Sequence, residues 1–200
     1  MTSKPIYKRV LVKLSGEALQ GDAQSFGINS DSLEKISAEL SSIVKLGVQV
    51  ALVIGAGNII RGTDLCMNGT FDRVTADQMG MLATVINGLA IRDALRNDGL
   101  SAEVMSAIPV TGLVDVYNRW KAIDALEKGC VTIFVGGTGN PLVTTDSAAA
   151  IRGVEIHADL VIKATKVDGV FAADPIKNPK AERYSALSYD AVLEQRLGVM

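Results

Sequence analysis

The chain is poor in the residues that build metal centres and disulfide frameworks: two cysteines, Cys66 and Cys130, and one histidine, His157, among 200 residues. The cysteines lie far apart and form no CxxC pair, so neither a zinc site nor a disulfide scaffold has support, and a reduced, cytosolic (cytoplasmic) setting is expected. Charge of one sign is also missing. The 20 basic and 22 acidic residues are spread along the chain and leave a net charge of -2, which excludes a basic arm for nucleic acid or a polybasic membrane patch. Any anionic ligand must therefore be met locally. No apolar run approaches the roughly 18 residues of a membrane span. Met1 to Arg9 is polar and basic without the apolar stretch of a signal peptide, so export is not expected. Internal repeats, low-complexity tracts and linkers are absent as well; only Asp174-Pro175 through Pro179 reads as a loop.

With 48% hydrophobic residues the chain can bury a core, and one domain over residues 1–200 is expected. Short apolar runs recur at Val10–Val12, Val50–Ile54, Val131–Val135 and Leu160–Ile162, each bounded by glycine or polar residues, and read as buried strands. Helical spacing lies between them. Leu33, Ile36, Leu40, Ile43 and Val44 recur at three or four, with Asn29 or Ser30 as N-cap and Gly47 past the end. Thr75 to Arg96 carries Leu82, Ile86 and Leu89 at the same spacing, and Asn118 to Lys128 is a shorter helix closed by Gly129. Strands alternating with helices imply an α/β fold, a three-layer sandwich around a mostly parallel central sheet.

In open parallel sheets, ligands collect beyond the carboxyl ends of the strands. Here each predicted strand runs into an unusual loop. The first enters Lys13-Leu14-Ser15-Gly16-Glu17, where glycine lets backbone N–H groups approach an anion and lysine adds a mobile charge. The second enters Gly55-Ala56-Gly57-Asn58-Ile59-Ile60-Arg61-Gly62, whose arginine suits bidentate phosphate contact. It is neither a dinucleotide fingerprint, since the third glycine falls too late, nor a Walker loop, since no GK[ST] follows.

The third loop runs from Gly136 to Ser147, and the alanine-rich run after Ser147 reads as a helix N-terminus, a place that favours negative charge. Asp146 is then either an ordinary N-cap or first-turn acid, or a group that orients a lysine or holds magnesium. The fourth strand ends in Lys163-Ala164-Thr165-Lys166-Val167-Asp168-Gly169-Val170. Lys163 within an apolar strand is a costly buried ammonium unless paired or bound to an anion. His157 reads as a surface or helix-end residue.

Taken together, the first loop, Asp77-Gln78-Met79-Gly80-Met81, Thr138-Gly139-Asn140-Pro141 with Thr144-Thr145-Asp146-Ser147, and Lys163 through Val170 resemble the amino acid kinase family over nearly the whole chain. That resemblance implies a phosphotransferase with a phosphate group as acceptor, one that passes the ATP γ-phosphoryl to UMP in pyrimidine biosynthesis. By the same resemblance Lys13, Leu14, Ser15, Gly16, Gly57 and Arg61 would hold ATP phosphates, and Thr165, Phe171 and Asp174 would surround adenine and ribose. Ala56, which stands where the family commonly has glycine, would bind UMP with Asp77 and the segment Thr138, Gly139, Asn140, Pro141, Leu142, Val143, Thr144 and Thr145. Lys13, Arg61 and Asp146 would be catalytic, with Asp77 on the ribose hydroxyls and Mg2+ accompanying ATP.

The resemblance further implies homohexamers, allosteric activation by GTP at Gly21, Asp22, Ala23, Gln24, Ser25, Phe26 and Gly27, and inhibition by UTP. Arg9 and Asp159 read as relay residues or as strand-end charges in a surface pair. Family members also continue past the position of Met200 by roughly another strand, helix and strand, a common domain fraction. Two rival readings are a family enzyme phosphorylating a carboxylate or carbamate, such as acetylglutamate, glutamate or aspartate, and a non-catalytic nucleotide-binding module. Asp77 speaks against the first, because an acid in the acceptor pocket repels an anionic amino acid. Lys13 and Asp146 speak against the second.

Overall fold

A computed structural model describes residues 5–21, 26–60, 69–165 and 167–197. The chain divides into two compact units, Met1–Ala164 and Thr165–Met200.

The first unit carries the sheet. Its strands are β1 (Arg9–Leu14), β2 (Gln49–Ile54), β3 (Ala102–Ser106), β4 (Asp115–Val116), β5 (Val131–Val135) and β6 (Leu160–Lys163), in the spatial order β4-β3-β5-β2-β1-β6. Every pairing among them is parallel, so the expected mostly parallel sheet is wholly parallel among the described residues. Its helices are α1 (Ser30–Lys45), α2 (Arg73–Asn97), α3 (Arg119–Glu127) and α4 (Thr145–Glu155).

Successive strand residues point to opposite faces, and the apolar residues accordingly sort into two cores. Val10, Val12, Leu14, Val50, Leu52, Ile54, Ile133 and Val135 pack with Leu40 of α1 and Val85, Ile91 and Leu95 of α2. Leu11, Ala51, Val53, Met105 and Phe134 pack with Ala122 and Leu126 of α3 and Ala148 and Ala149 of α4. The three-layer α/β sandwich expected from the sequence is what forms.

Several local expectations change. Strands β3 and β4 carry no sequence signal, because Ala, Glu, Met and Ser are poor strand formers and β4 is two residues long. Tertiary pairing of β3 with β5 makes the strand. Leu82 and Ile86 are each 52% exposed; α2 instead buries Ala83, Val85, Asn87, Gly88, Ile91 and Leu95. The helix is apolar around much of its circumference, so spacing alone picks the wrong face. At Gly88 a Cβ would come within 2.5 Å of Val135 Cγ1, so glycine is what lets α2 lie close on β5. Residues 160–162, read as a buried strand, form the outer strand β6 and are largely exposed.

Helix starts follow capping chemistry. Asn29 accepts from Ser32 N at 3.0 Å and Asn118 from Lys121 N at 3.0 Å. Helix α4 begins at Thr145, three residues before the alanine run expected to open it, because Thr144 Oγ1 accepts from Ser147 N at 3.2 Å.

The second unit is built from loops, an isolated antiparallel bridge between Phe171 and Arg183, and a short helix α5 (Tyr189–Glu194) capped by Ser188. Arg183 donates to Asp168 O at 3.2 Å and Tyr184 Oη to Gln195 Oε1 at 2.7 Å.

Candidate active site

Parallel pairing puts Lys13 of β1 and Lys163 of β6 side by side in register. Two adjacent ammonium groups repel unless an anion sits between them. Asp146, in the first turn of α4, fills that role: its Oδ1 is 2.9 Å from Lys13 Nζ and its Oδ2 accepts from Lys163 Nζ at 2.7 Å. The Oδ1 contact is an ion pair whose angles fall outside hydrogen-bond geometry. Partial burial pushes the Asp146 carboxyl upward, but the Lys163 and Lys13 contacts and their charges outweigh it and hold the group below the usual carboxylate range. Lys163 is therefore paired, and its side chain is 33% exposed rather than buried. Asp146 is a first-turn acid, which the helix dipole favours, and also an organiser of lysines.

The first two loops are locked together behind this cluster. A Cβ on Gly16 would lie 2.4 Å from Asn58 Oδ1 and 2.6 Å from Gly57 N, contacts that no side chain tolerates. Gly16 is thus required by loop packing as well as being suited to an approaching anion. Asn58, 1% exposed, and Asn87, fully buried, exchange two side-chain hydrogen bonds of 2.7 and 2.9 Å. Asn87 also donates to Gly55 O at 2.8 Å and Asn58 to Gly27 O at 2.9 Å. Buried amides cost free energy unless satisfied, and this pair satisfies itself while pinning the Gly55–Asn58 turn to α2.

Next to the turn lies a cavity of about 310 Å³ lined by Ala56, Ile60, Arg73, Ala76, Asp77, Gly80, Met81, Thr84, Gly137, Asn140 and Leu142 to Thr145, a size within the range of small-molecule sites. Seven of the residues predicted for the acceptor share it: Ala56, Asp77, Asn140, Leu142, Val143, Thr144 and Thr145. Thr138, Gly139 and Pro141 belong to the same loop without lining the cavity. Asp77 Oδ2 accepts from Leu142 N at 2.8 Å, and Oδ1 lies 3.0 Å from Arg73 Nε. Leu142 sits at φ 66°, a left-handed conformation that a leucine avoids unless its surroundings hold it there. The loop turns on Gly136, Gly137 and Gly139, all at positive φ, and Gly136 N donates to Thr84 Oγ1 at 2.7 Å.

The cavity and the lysine cluster meet at the start of α4: Thr144 and Thr145 line the cavity, and Asp146 follows them. Arg61, Gly62, Lys166 and the segment Asp22, Ala23, Gln24 and Ser25 lie outside the described residues. Thr165, Phe171 and Asp174 belong to the second unit; there Asp174 Oδ1 accepts from Ile176 N at 2.9 Å, and Thr165 Oγ1 donates to Val167 O.

Arg9 and Asp159 stand at the other end of the strands. Arg9 is 7% exposed, so it is no surface charge: it donates to Gln49 Oε1 at 2.7 Å and to Ile156 O. Asp159 accepts the Lys8 and Arg9 backbone N–H groups, both at 2.8 Å. His157 ends α4 at φ 55°, with Nε2 2.6 Å from Arg119, the helix-end place expected of it.

Sequence reasoning marked Lys163 as a lysine in need of a partner or an anion without naming Asp146 as that partner, and it assigned no role to Arg73 or the Asn58–Asn87 pair. Signals existed for the latter two: an arginine four residues before Asp77, and an asparagine inside an apolar helix.

The family model for the amino acid kinase family matches residues 8–199. A curated uridylate kinase of Aliivibrio fischeri is 57% identical over 197 residues, 98% of this chain and 80% of the relative. Among solved structures, a UMP kinase from Bacillus anthracis superposes with a TM-score of 0.91 at 43% identity, covering 97% of this chain and 80% of the other. A UMP kinase from Ureaplasma parvum gives 0.88 at 38% identity, covering 96% and 81%. With its parallel sheet, its glycine turns and its lysine–aspartate cluster at the strand ends, the chain belongs to the amino acid kinase family.

Proposed function

We propose that this protein transfers the γ-phosphoryl group of ATP to UMP, giving ADP and UDP for pyrimidine nucleotide synthesis. The observation that carries the reading is the position of Asp77 in a cavity whose wall, Thr144 and Thr145, runs directly into Asp146 with its two lysines. Close relatives that bear the name uridylate kinase support it.

In this reaction an oxygen of the UMP phosphate bonds to the γ-phosphorus as the bond to the β,γ-bridging oxygen breaks. The acceptor needs no general base, because a phosphomonoester is largely ionised at neutral pH, its second pKa lying near 6. What the protein must supply is alignment of two anions and neutralisation of the group in flight. Lys13 meets the transferring phosphoryl, Asp146 holds Lys13 and Lys163 in place, and Arg61 joins the phosphate cluster. Leu14 to Gly16 and Gly57 cradle ATP phosphates, Thr165, Phe171 and Asp174 take its adenosine, and Asp77 accepts from the ribose hydroxyls of UMP.

Magnesium would be carried on the ATP phosphates and would there neutralise part of their charge. Among the described residues no three His, Cys, Asp or Glu side chains gather as a metal site, and both Asp146 oxygens face ammonium groups. That donor set suits an ion carried on substrate phosphates rather than one caged by protein. Cytoplasmic location, homohexamer assembly, activation by GTP through Gly21 to Gly27 and inhibition by UTP are proposed on the family resemblance alone.

A coupled assay of ADP release with UMP, CMP and acetylglutamate as acceptors tests the reading. Turnover with UMP and none with acetylglutamate is expected. The reverse order would overturn it.

A further inference from the structure

The acceptor cavity poses an electrostatic problem. Its acceptor carries a phosphate, yet Asp77 presents a carboxylate to the same space, and like charges in a partly enclosed site repel. Arg73 lines the cavity as well, with Nε 3.0 Å from Asp77 Oδ1. Its place in the chain goes against local preference: it is the first residue of α2, where the helix dipole disfavours a cation. The neighbouring acid, Asp72, is committed to the cap, accepting from Val74 N at 2.8 Å and from the Thr75 hydroxyl. Arg73 is thus directed to Asp77 one turn on, whose other oxygen is fixed by Leu142 N. A residue that breaks a local rule beside a cavity is where function is expected to show.

We propose that Arg73 is a positioning residue for the acceptor: by neutralising and orienting Asp77, it sets the preference for a ribonucleotide over its 2′-deoxy counterpart. This rests on the UMP reading above. With Oδ1 on Arg73 and Oδ2 on Leu142 N, the carboxylate plane is fixed from two sides, and its remaining lone pairs are left to accept from ribose hydroxyls. Without Arg73 the carboxylate can rotate, and its charge faces the incoming phosphate.

The test compares UMP and 2′-deoxy-UMP as acceptors for the wild type, Arg73→Gln, Arg73→Lys, Asp77→Asn and the Arg73→Gln/Asp77→Asn double variant. Arg73→Gln is expected to raise KM for UMP roughly tenfold, as loss of a charge-assisted contact does, with the change in KM rather than kcat. The ratio of kcat/KM between UMP and 2′-deoxy-UMP should fall toward that of Asp77→Asn, and Arg73→Lys should recover part of it. Because the two residues act as one unit, the double variant should discriminate no less than Asp77→Asn alone. An i,i+4 pair whose arginine is half exposed contributes little to folding, so a purely structural role would leave the acceptor ratio untouched. A UMP to 2′-deoxy-UMP ratio identical in wild type and Arg73→Gln overturns the inference while leaving the UMP reading standing. A wild-type enzyme that turns over neither nucleotide overturns the reading itself, before any variant is compared.

Discussion

Arg9 and Lys13 stand at opposite ends of β1, and each end of the β1–β6 pair carries a basic side chain and an aspartate, yet the two ends are built to opposite purposes. At the start of the strand, the Arg9 guanidinium is divided among Gln49, the Ile156 carbonyl and Glu127, the last at 3.5 Å, while Asp159 is bound to two backbone N–H groups. These partners are fixed by the fold, and the arrangement is saturated. At the far end, Asp146 faces the ammonium groups of Lys13 and Lys163 among the described residues. An ammonium is a compact charge with three donors on a flexible stem, and it can turn from a carboxylate to a phosphate without disturbing the sheet. Charged side chains make structure where most of their partners are backbone groups and neighbouring side chains set by the fold. They make a site where their partners are other mobile charges.

Breaking one end at a time should separate these roles. The largest effect is expected for Lys13→Ala, which removes a charge from the transferring phosphoryl. Its turnover should fall by roughly 10²–10³, as for loss of one preorganised electrostatic donor, while UMP affinity and melting temperature change little. Steady-state kinetics beside thermal unfolding make the measurement; equal losses in kcat and in UMP binding would mark Lys13 as a mere binding group. Arg9→Ala should do the opposite. It leaves Asp159 in place but takes a nearly buried donor from the Ile156 carbonyl, at a cost of about 1–3 kcal/mol for the acceptor left unpaired, with kcat per folded molecule retained. A variant that melts like the wild type would show that the saturated end is dispensable.

The contrast also explains what could be read from the chain alone. The buried strands β1, β2 and β5 are legible because each is a short β-branched run bounded by glycine or polar residues. The glycine-rich loops are legible because glycine at a strand end has few other uses. Strand β3 and the exposed face of α2 are not, because both are decided by tertiary packing: Ala102 to Ser106 becomes a strand through its pairing with β5, and α2 turns Asn87 and Gly88 inward where Leu82 and Ile86 would be the naive choice. Lys13 and Asp146 are found from their loops, and Asp77 from the motif by which the first turns of α2 resemble the family. The pairing of Asp146 with Lys163 and of Asp77 with the Leu142 backbone N–H is not, since each contact joins elements distant in sequence, and Arg73, although only four residues before Asp77, reads as an ordinary exposed helix charge until the cavity is seen. Arg9 shows the converse error: a strand-end charge reads as surface until the neighbouring helix ends cover it.

The smallest expected effect concerns acid and salt, and it bears on the two aspartates. Both Asp146 and Asp159 are held below the usual carboxylate range, the second chiefly by the Arg9 and Lys8 backbone N–H groups. A lowered native pKa means that the contribution to stability is complete above the unfolded value of about 4 and is lost as pH falls through the lower native value. The melting-temperature gaps between wild type and Asp146→Asn, and between wild type and Asp159→Asn, should therefore both be full at pH 7 and close below about pH 4. Salt distinguishes them. Asp146→Asn leaves Lys13 and Lys163 facing each other without their shared anion, a repulsion between partly exposed charges that added salt screens over about 10 Å at 0.1 M. Its gap at pH 7 should narrow as salt rises, whereas that of Asp159→Asn should change less, because most of what Asp159 holds is neutral backbone N–H. Equal salt dependence of the two gaps would mean that the lysine pair is not held against its own repulsion by Asp146, and the distinction between a saturated end and an exchangeable one would lose its electrostatic basis.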